Sequence, residues 1–141
     1  MKVLMVNGSP HEEGCTYTAL EEVAKALEKA GVETEIMWLG VDAIAGCIGC
    51  GACAKTGKGC FRGDVVNEFI EKAKEADGFI FGTPVHYAAA SGALTSFMDR
   101  AFYAGGKYMT GKPAAGVVSC RRGGAAFTFD QINKYFTINC M

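Results

Sequence analysis

Four of the seven cysteines fall within residues 47 to 60, in the stretch CIGCGACAKTGKGC, at the spacing C-x2-C-x2-C-x6-C. Thiolates so placed can gather round a metal. An iron-sulfur cluster draws on a compact run of cysteines, whereas structural zinc usually draws on two pairs set well apart. Glycines at 46, 49, 51, 57 and 59 would let the backbone wrap a cluster closely, and would serve any tight loop equally well. Three readings stand open for Cys47, Cys50, Cys53 and Cys60: ligands of a four-iron cluster, zinc ligands, or free thiols in a surface loop open to oxidation.

A second candidate lies near the start, in MKVLMVNGSPHEEGCT. Asn7, Gly8, Ser9 and Pro10 form a turn, and Gly14, Cys15 and Thr16 lead into a helix whose free N–H groups and dipole favour a phosphate. Ser9 and Thr16 add hydroxyl donors. The lysine of a nucleoside-triphosphate loop, G-x4-G-K-[ST], is missing, and so is a G-x-G-x-x-G dinucleotide fingerprint. Thr16 could also simply cap the helix, and Gly-Ser-Pro simply turn the chain. Further along, Thr83, Pro84, Val85, His86 and Tyr87 combine a fixed turn, an apolar residue and two rings, a wall suited to a flat aromatic ligand.

The rest of the chain must position these loops. With 141 residues, half of them apolar, it is long enough for one domain with a real core. A net charge of -1 without a basic run argues against nucleic acid as a partner. No apolar run approaches the ~20 residues of a spanning helix, nor does the N-terminus resemble a signal segment, so the expected setting is the cytoplasm, where thiols stay reduced.

Apolar runs of strand length alternate with segments of helical period, which predicts an α/β domain with a parallel sheet. Strands are expected at Lys2 to Val6, at Val32 to Leu39 (VETEIMWL, half-wet and so at an edge), from Gly78 (GFIFGTPV, central) and at Pro113 to Cys120. Helices are expected over Thr16 to Ala30 with Gly31 just past the end, after a capping Asp64 with Val66, Phe69, Ile70 and Ala73 facing inward, from Ser91 with Leu94, Phe97, Met98, Ala101 and Phe102 inward, and over Ala125 to Phe136. The order suits a doubly wound sheet of strand order 2-1-3-4-5, in which a ligand lies at the carboxyl ends of strands one and three. Those ends are NGSPHEEGCT and GTPVHYAAASG.

GSPHEEGCT followed by FGTPVHYAAASGALTSFMDR resembles the NAD(P)H-dependent FMN reductase and iron-sulfur flavoprotein group of the flavodoxin-like superfamily, over nearly the whole chain. The resemblance implies a single flavodoxin-like FMN-binding domain over residues 1–141, a three-layer α/β/α fold, with a cysteine-rich loop at 46–61. It places Ser9, Pro10, His11, Cys15 and Thr16 around the FMN phosphate, and Thr83, Pro84, Val85, His86, Tyr87 and Ser91 along the isoalloxazine. Ser119 and Arg121 belong to SCRRGG, which matches the loop that closes over the flavin, with Arg121 or Arg122 balancing flavin or NADPH charge. Many members carry a basic residue and an Asn where this chain has His11 and Cys15. The chain ends at TINCM, where members enter a fifth strand, so that strand and its helix are expected to be missing and the domain C-terminally incomplete.

The resemblance implies transfer of electrons from NAD(P)H through FMN to a second acceptor: a free flavin, a quinone, an iron-sulfur cluster or a redox protein. The rivals are a non-enzymatic flavodoxin-like or iron-sulfur flavoprotein electron carrier, which the charge of -1 disfavours, and a binding module stabilised by zinc at the cysteine loop. Three cysteines at x2 spacing also resemble the ferredoxin run C-x2-C-x2-C-x3-C-P, although here x6 replaces x3 and no proline follows. Iron-sulfur flavoproteins share this arrangement, and some FMN reductases keep similar cysteines without a cluster. A homodimer is expected because FMDRAFYAGGKYM carries more large apolar side chains than one helix face would bury. No membrane or nucleic-acid partner is expected.

Overall fold

The structure is a computed structural model that describes residues 1–141. Its elements run β1 (Lys2–Asn7), α1 (Cys15–Lys29), β2 (Glu33–Trp38), α2 (Ala52–Thr56), α3 (Val65–Ala73), β3 (Gly78–His86), β4 (Ala89–Ala90), α4 (Gly92–Gly105), a single 3-10 turn (Gly106–Tyr108), β5 (Ala114–Ser119) and α5 (Ala125–Ile138). Four strands pair in parallel in the order β2-β1-β3-β5. The fifth strand of the sheet is the two-residue β4, antiparallel to the end of β3. The doubly wound flavodoxin-like fold thus stands with four long parallel strands, and no long fifth one lies beside β5.

Burial explains the assignments. β1 and β3 are flanked on both edges, so their residues are buried on both faces, while β2 sits at an edge and alternates only loosely. The helices α3, α4 and α5 cover one face around Phe69, Phe79, Phe81 and Phe97, with Phe69 and Phe97 edge-on at 5.1 Å. Each such ring contributes roughly 1.5–3 kcal/mol by burial. α1 covers the other face through Leu20 and Ala24. It ends in a Schellman motif: Gly31 (φ 78°) donates to Glu28 O and Val32 to Leu27 O. Asp64 caps α3 through the Val66 N–H, and Val66, Phe69, Ile70 and Ala73 are its buried stripe.

Two elements escape the periodicity. α2 is one short turn inside the cysteine loop, bracketed by left-handed Gly51 and Gly57. β4 is too short to leave a period. In FMDRAFYAGGKYM, Phe97, Met98, Ala101 and Met109 are buried within one chain, and Tyr103 is the large apolar side chain left exposed, at 77%. The apolar surplus that suggested a dimer is therefore mostly absorbed by the core. No helix is long and apolar enough to cross a membrane.

Candidate functional site

The loop after β1 is fixed by its own polar groups. Asn7, fully buried, accepts the Ser9 N–H through Oδ1 (3.1 Å) and donates from Nδ2 to Glu12 O (2.9 Å). Ser9 Oγ accepts the His11 N–H at 3.1 Å, and Trp38 Nε1 donates to Ser9 O at 2.8 Å. Gly8 donates to Gly82 O at 2.8 Å, binding this loop to β3. A Cβ on Gly8 would lie 2.9 Å from Leu94 Cβ, so only glycine permits this approach.

The start of α1 is left open. Its N-cap is Gly14 and no side chain caps it, so Thr16 is not the cap. The N–H groups of Cys15, Thr16 and Tyr17 find no acceptor in the chain. Thr16, 1% exposed, instead shares a hydrogen bond with Ser119 Oγ at 2.8 Å, across from the end of β5. Unused donors, a positive helix end and two hydroxyls at one spot fit an anionic phosphate.

The end of β3 supplies the opposite wall. Thr83 Oγ1 accepts the Ser91 N–H (3.0 Å), and Ser91 Oγ donates to Gly8 O (2.7 Å), so the third-strand loop is tied to the first. Beyond Pro84 and Val85 the chain makes a two-residue hairpin, with His86 opposite Ala89. Its central residues, Tyr87 (φ 51°) and Ala88 (φ 71°), both take the left-handed conformation. A turn of this kind prefers Asn-Gly, and each non-glycine residue held there costs roughly 1–3 kcal/mol. His86 and Tyr87 are exposed, facing solvent where a flat ligand could lie.

Of the expected residues, the structure brings together Ser9, Thr16, Thr83, Ser91 and Ser119, each within one or two hydrogen bonds of another or of the β1 loop. Pro84 lies beside Ser119 in the sheet register. Pro10, His11, Cys15, Arg121 and Arg122 stand exposed on the rim.

The cysteine loop lines a separate cleft of about 600 Å³ that takes in Cys47, Cys50, Cys53 and Cys60. No three His, Cys, Asp or Glu side chains converge there to coordination distance, and all seven cysteines are free. The cleft is organised by a residue that sequence reasoning passed over. Arg100, on α4 and 2% exposed, donates from Nε to Cys60 Sγ (3.3 Å), from Nη1 to Ala45 O (3.3 Å) and from Nη2 to Arg62 O (3.4 Å). Both terminal guanidinium nitrogens, Nη1 and Nη2, grip Asp64, at 2.6 and 2.8 Å. Burial alone would raise the Asp64 carboxyl, but Arg100 and the Val66 N–H outweigh it and hold it below the usual carboxylate range. Asn67 adds a second tie, accepting the Cys60 N–H and donating to Cys60 O, both at 2.8 Å. The available signal was a lone arginine on the apolar stripe of FMDRAF, because a buried arginine requires an anionic partner.

The donor set suits an iron-sulfur group chemically: four soft thiols line one cleft, and Arg62, at its wall, keeps a buried Nε–H without an acceptor. Closing round a cluster would require the loop to draw together.

The doubly wound parallel sheet and the helices on its two faces define a flavodoxin-like α/β domain. The whole chain, residues 1–141, matches the NADPH-dependent FMN reductase family and belongs to it, and so to the FMN-dependent oxidoreductases. An iron-sulfur flavoprotein of Methanocaldococcus jannaschii is 37% identical, over all of this chain and 74% of its own length. One from Archaeoglobus fulgidus is 35% identical over 90% of this chain and 64% of its own length. Among solved structures, an NADH:FMN oxidoreductase in apo form aligns with a TM-score of 0.67 at 20% identity, covering 99% of this chain and 68% of that one. A flavodoxin from the Archaea aligns at 0.69 and 18% identity, covering 100% and 76%. At these identities the structures establish the fold.

Proposed function

We propose that the chain is an NAD(P)H-dependent oxidoreductase that seats FMN between the β1–α1 loop and the β3–β4 hairpin and passes electrons to a second acceptor. The observation that carries this reading is the uncapped α1: its N–H groups and the Thr16–Ser119 hydroxyl pair lie at the carboxyl ends of β1 and β5, beside the hairpin of β3. Ser9, Thr16 and Ser119 would hold the phosphate, and Thr83, Pro84, Val85, His86 and Tyr87 would flank the ring. When bound, FMN supplies hydride acceptance at its N5 and release of electrons singly or in pairs. The protein's own task is to orient the ring and exclude water. Little side-chain proton transfer is required of it. Steady oxidation of NADH or NADPH by the FMN-loaded chain, with a quinone or free flavin as acceptor, tests the reading. Reduction of bound FMN by dithionite but by neither nucleotide would replace it with an electron carrier.

The cysteine cleft favours a second component. Cys47, Cys50, Cys53 and Cys60 would hold a four-iron cluster, with Arg100 and Arg62 offsetting its negative charge. Iron and acid-labile sulfide per chain after anaerobic preparation decide this. Flavin absorbance with no iron, even after reconstitution, would reject the cluster and leave the FMN reading intact.

A further inference from the structure

The strained Tyr87–Ala88 hairpin is held from outside by the last loop and helix. Gly124, the N-cap of α5, has φ 90° and lies so close that a Cβ there would meet Ala88 Cα at 2.6 Å and Val85 Cγ1 at 2.9 Å. About two turns further along, half-buried Gln131 accepts the Ala90 N–H through Oε1 at 3.2 Å. These two contacts fall on, and two residues after, Ala88, which a free chain would not keep left-handed. The root of the hairpin is tied separately, through Thr83, Ser91 and Gly8. The turn therefore needs two supports, one from the strands and one from α5.

We propose that Gln131 and Gly124 are positioning residues for the flavin ring: they hold the Tyr87–Ala88 turn in the shape against which the isoalloxazine packs. The inference rests on the FMN site proposed above and adds to it residues that neither reach the phosphate nor touch the reacting atoms. Because they act on the ring side, their loss affects any ligand carrying that ring, with or without a phosphate.

The test is binding of FMN and of riboflavin to the Gln131→Leu chain, followed by flavin fluorescence and visible circular dichroism. Gln131 is on a helix surface, so leucine there keeps the fold, which thermal unfolding verifies. Loss of one hydrogen bond and partial collapse of the turn weakens FMN and riboflavin alike, by about tenfold, and alters the circular dichroism of the bound flavin. Gly124→Ala does the same. Adding Ala88→Gly to Gln131→Leu restores much of the affinity and the spectrum, since glycine removes the steric cost of a positive φ at that position. A general loss of stability would show instead as a lowered thermal midpoint in Gln131→Leu. Unchanged binding in Gln131→Leu, weakening of FMN alone, or failure of Ala88→Gly to rescue overturns the inference while the flavin site stands. A wild-type chain that binds neither flavin overturns the site and the inference together.

Discussion

The flavin end and the cysteine cleft are built on opposite plans. At the proposed flavin end the loops after β1 and β3 are tied within the chain: Asn7 holds Ser9, and Ser91 joins Gly8 to Thr83, while the first N–H groups of α1 stay open. At the cysteine cleft only the rims are tied, through Arg100 and Asn67, while Cys47, Cys50 and Cys53 sit on a glycine-rich arc with no shared partner. A preformed site loses little conformational freedom on binding, whereas a loop closed by its ligand draws that ordering cost from the ligand itself. Flavin binding should therefore be insensitive to the state of the cysteines, and the cysteine loop should be the first part of the molecule to move.

The largest expected effect breaks the tie at the cleft. Arg100→Met leaves Asp64 without its partner and frees both ends of the loop, with an expected cost of roughly 3 kcal/mol in denaturant unfolding. Hydrogen exchange should rise across residues 45–62 while the β1 loop stays protected. Equal exchange in both regions would erase the contrast. Next, Gly8→Ala pushes a Cβ to within 2.9 Å of Leu94. We expect a loss of about 2 kcal/mol together with reduced FMN affinity and no change in thiol accessibility at Cys47 or Cys50.

A smaller effect follows pH. Hydrogen bonds from Lys2 and Lys72 hold the Glu35 carboxyl below its usual range, and the Asp64 carboxyl is also lowered, net of burial, by Arg100. Both groups have folded-state values below their unfolded ones, about 4.3 and 3.9. Their stabilisation is present above those values and lost as pH falls through the lowered ones. Unfolding midpoints should drop below about pH 4, less steeply in Glu35→Gln and Asp64→Asn. An unaltered acid limb in both variants would contradict the assignment.

Much of this was legible in the sequence. Cap and period signals located the starts of α3 and α4 to within a residue, because Asp64 and Ser91 stand just before them and regular apolar stripes follow. The two loops proposed to seat the flavin could be placed because a doubly wound order fixes where its strands end. Three features were not. β4 is two residues long, and the left-handed Tyr87 and Ala88 of the turn before it carry none of the glycine signals that mark such a turn. The role of Arg100 depends on carbonyls 38 to 55 positions away. Thr16 reads as a cap by type, yet its hydroxyl faces Ser119, 103 residues distant.

The proposed flavin site rests on the uncapped start of α1 acting as a phosphate seat. Its most direct test is the affinity of the Ser9→Ala, Thr16→Ala double variant for FMN and for riboflavin, measured side by side. FMN should weaken by tenfold to a hundredfold, on the order expected for lost hydrogen bonds to a charged group, while riboflavin, which has no phosphate, is held as before. Equal weakening of the two, or none of either, would contradict it.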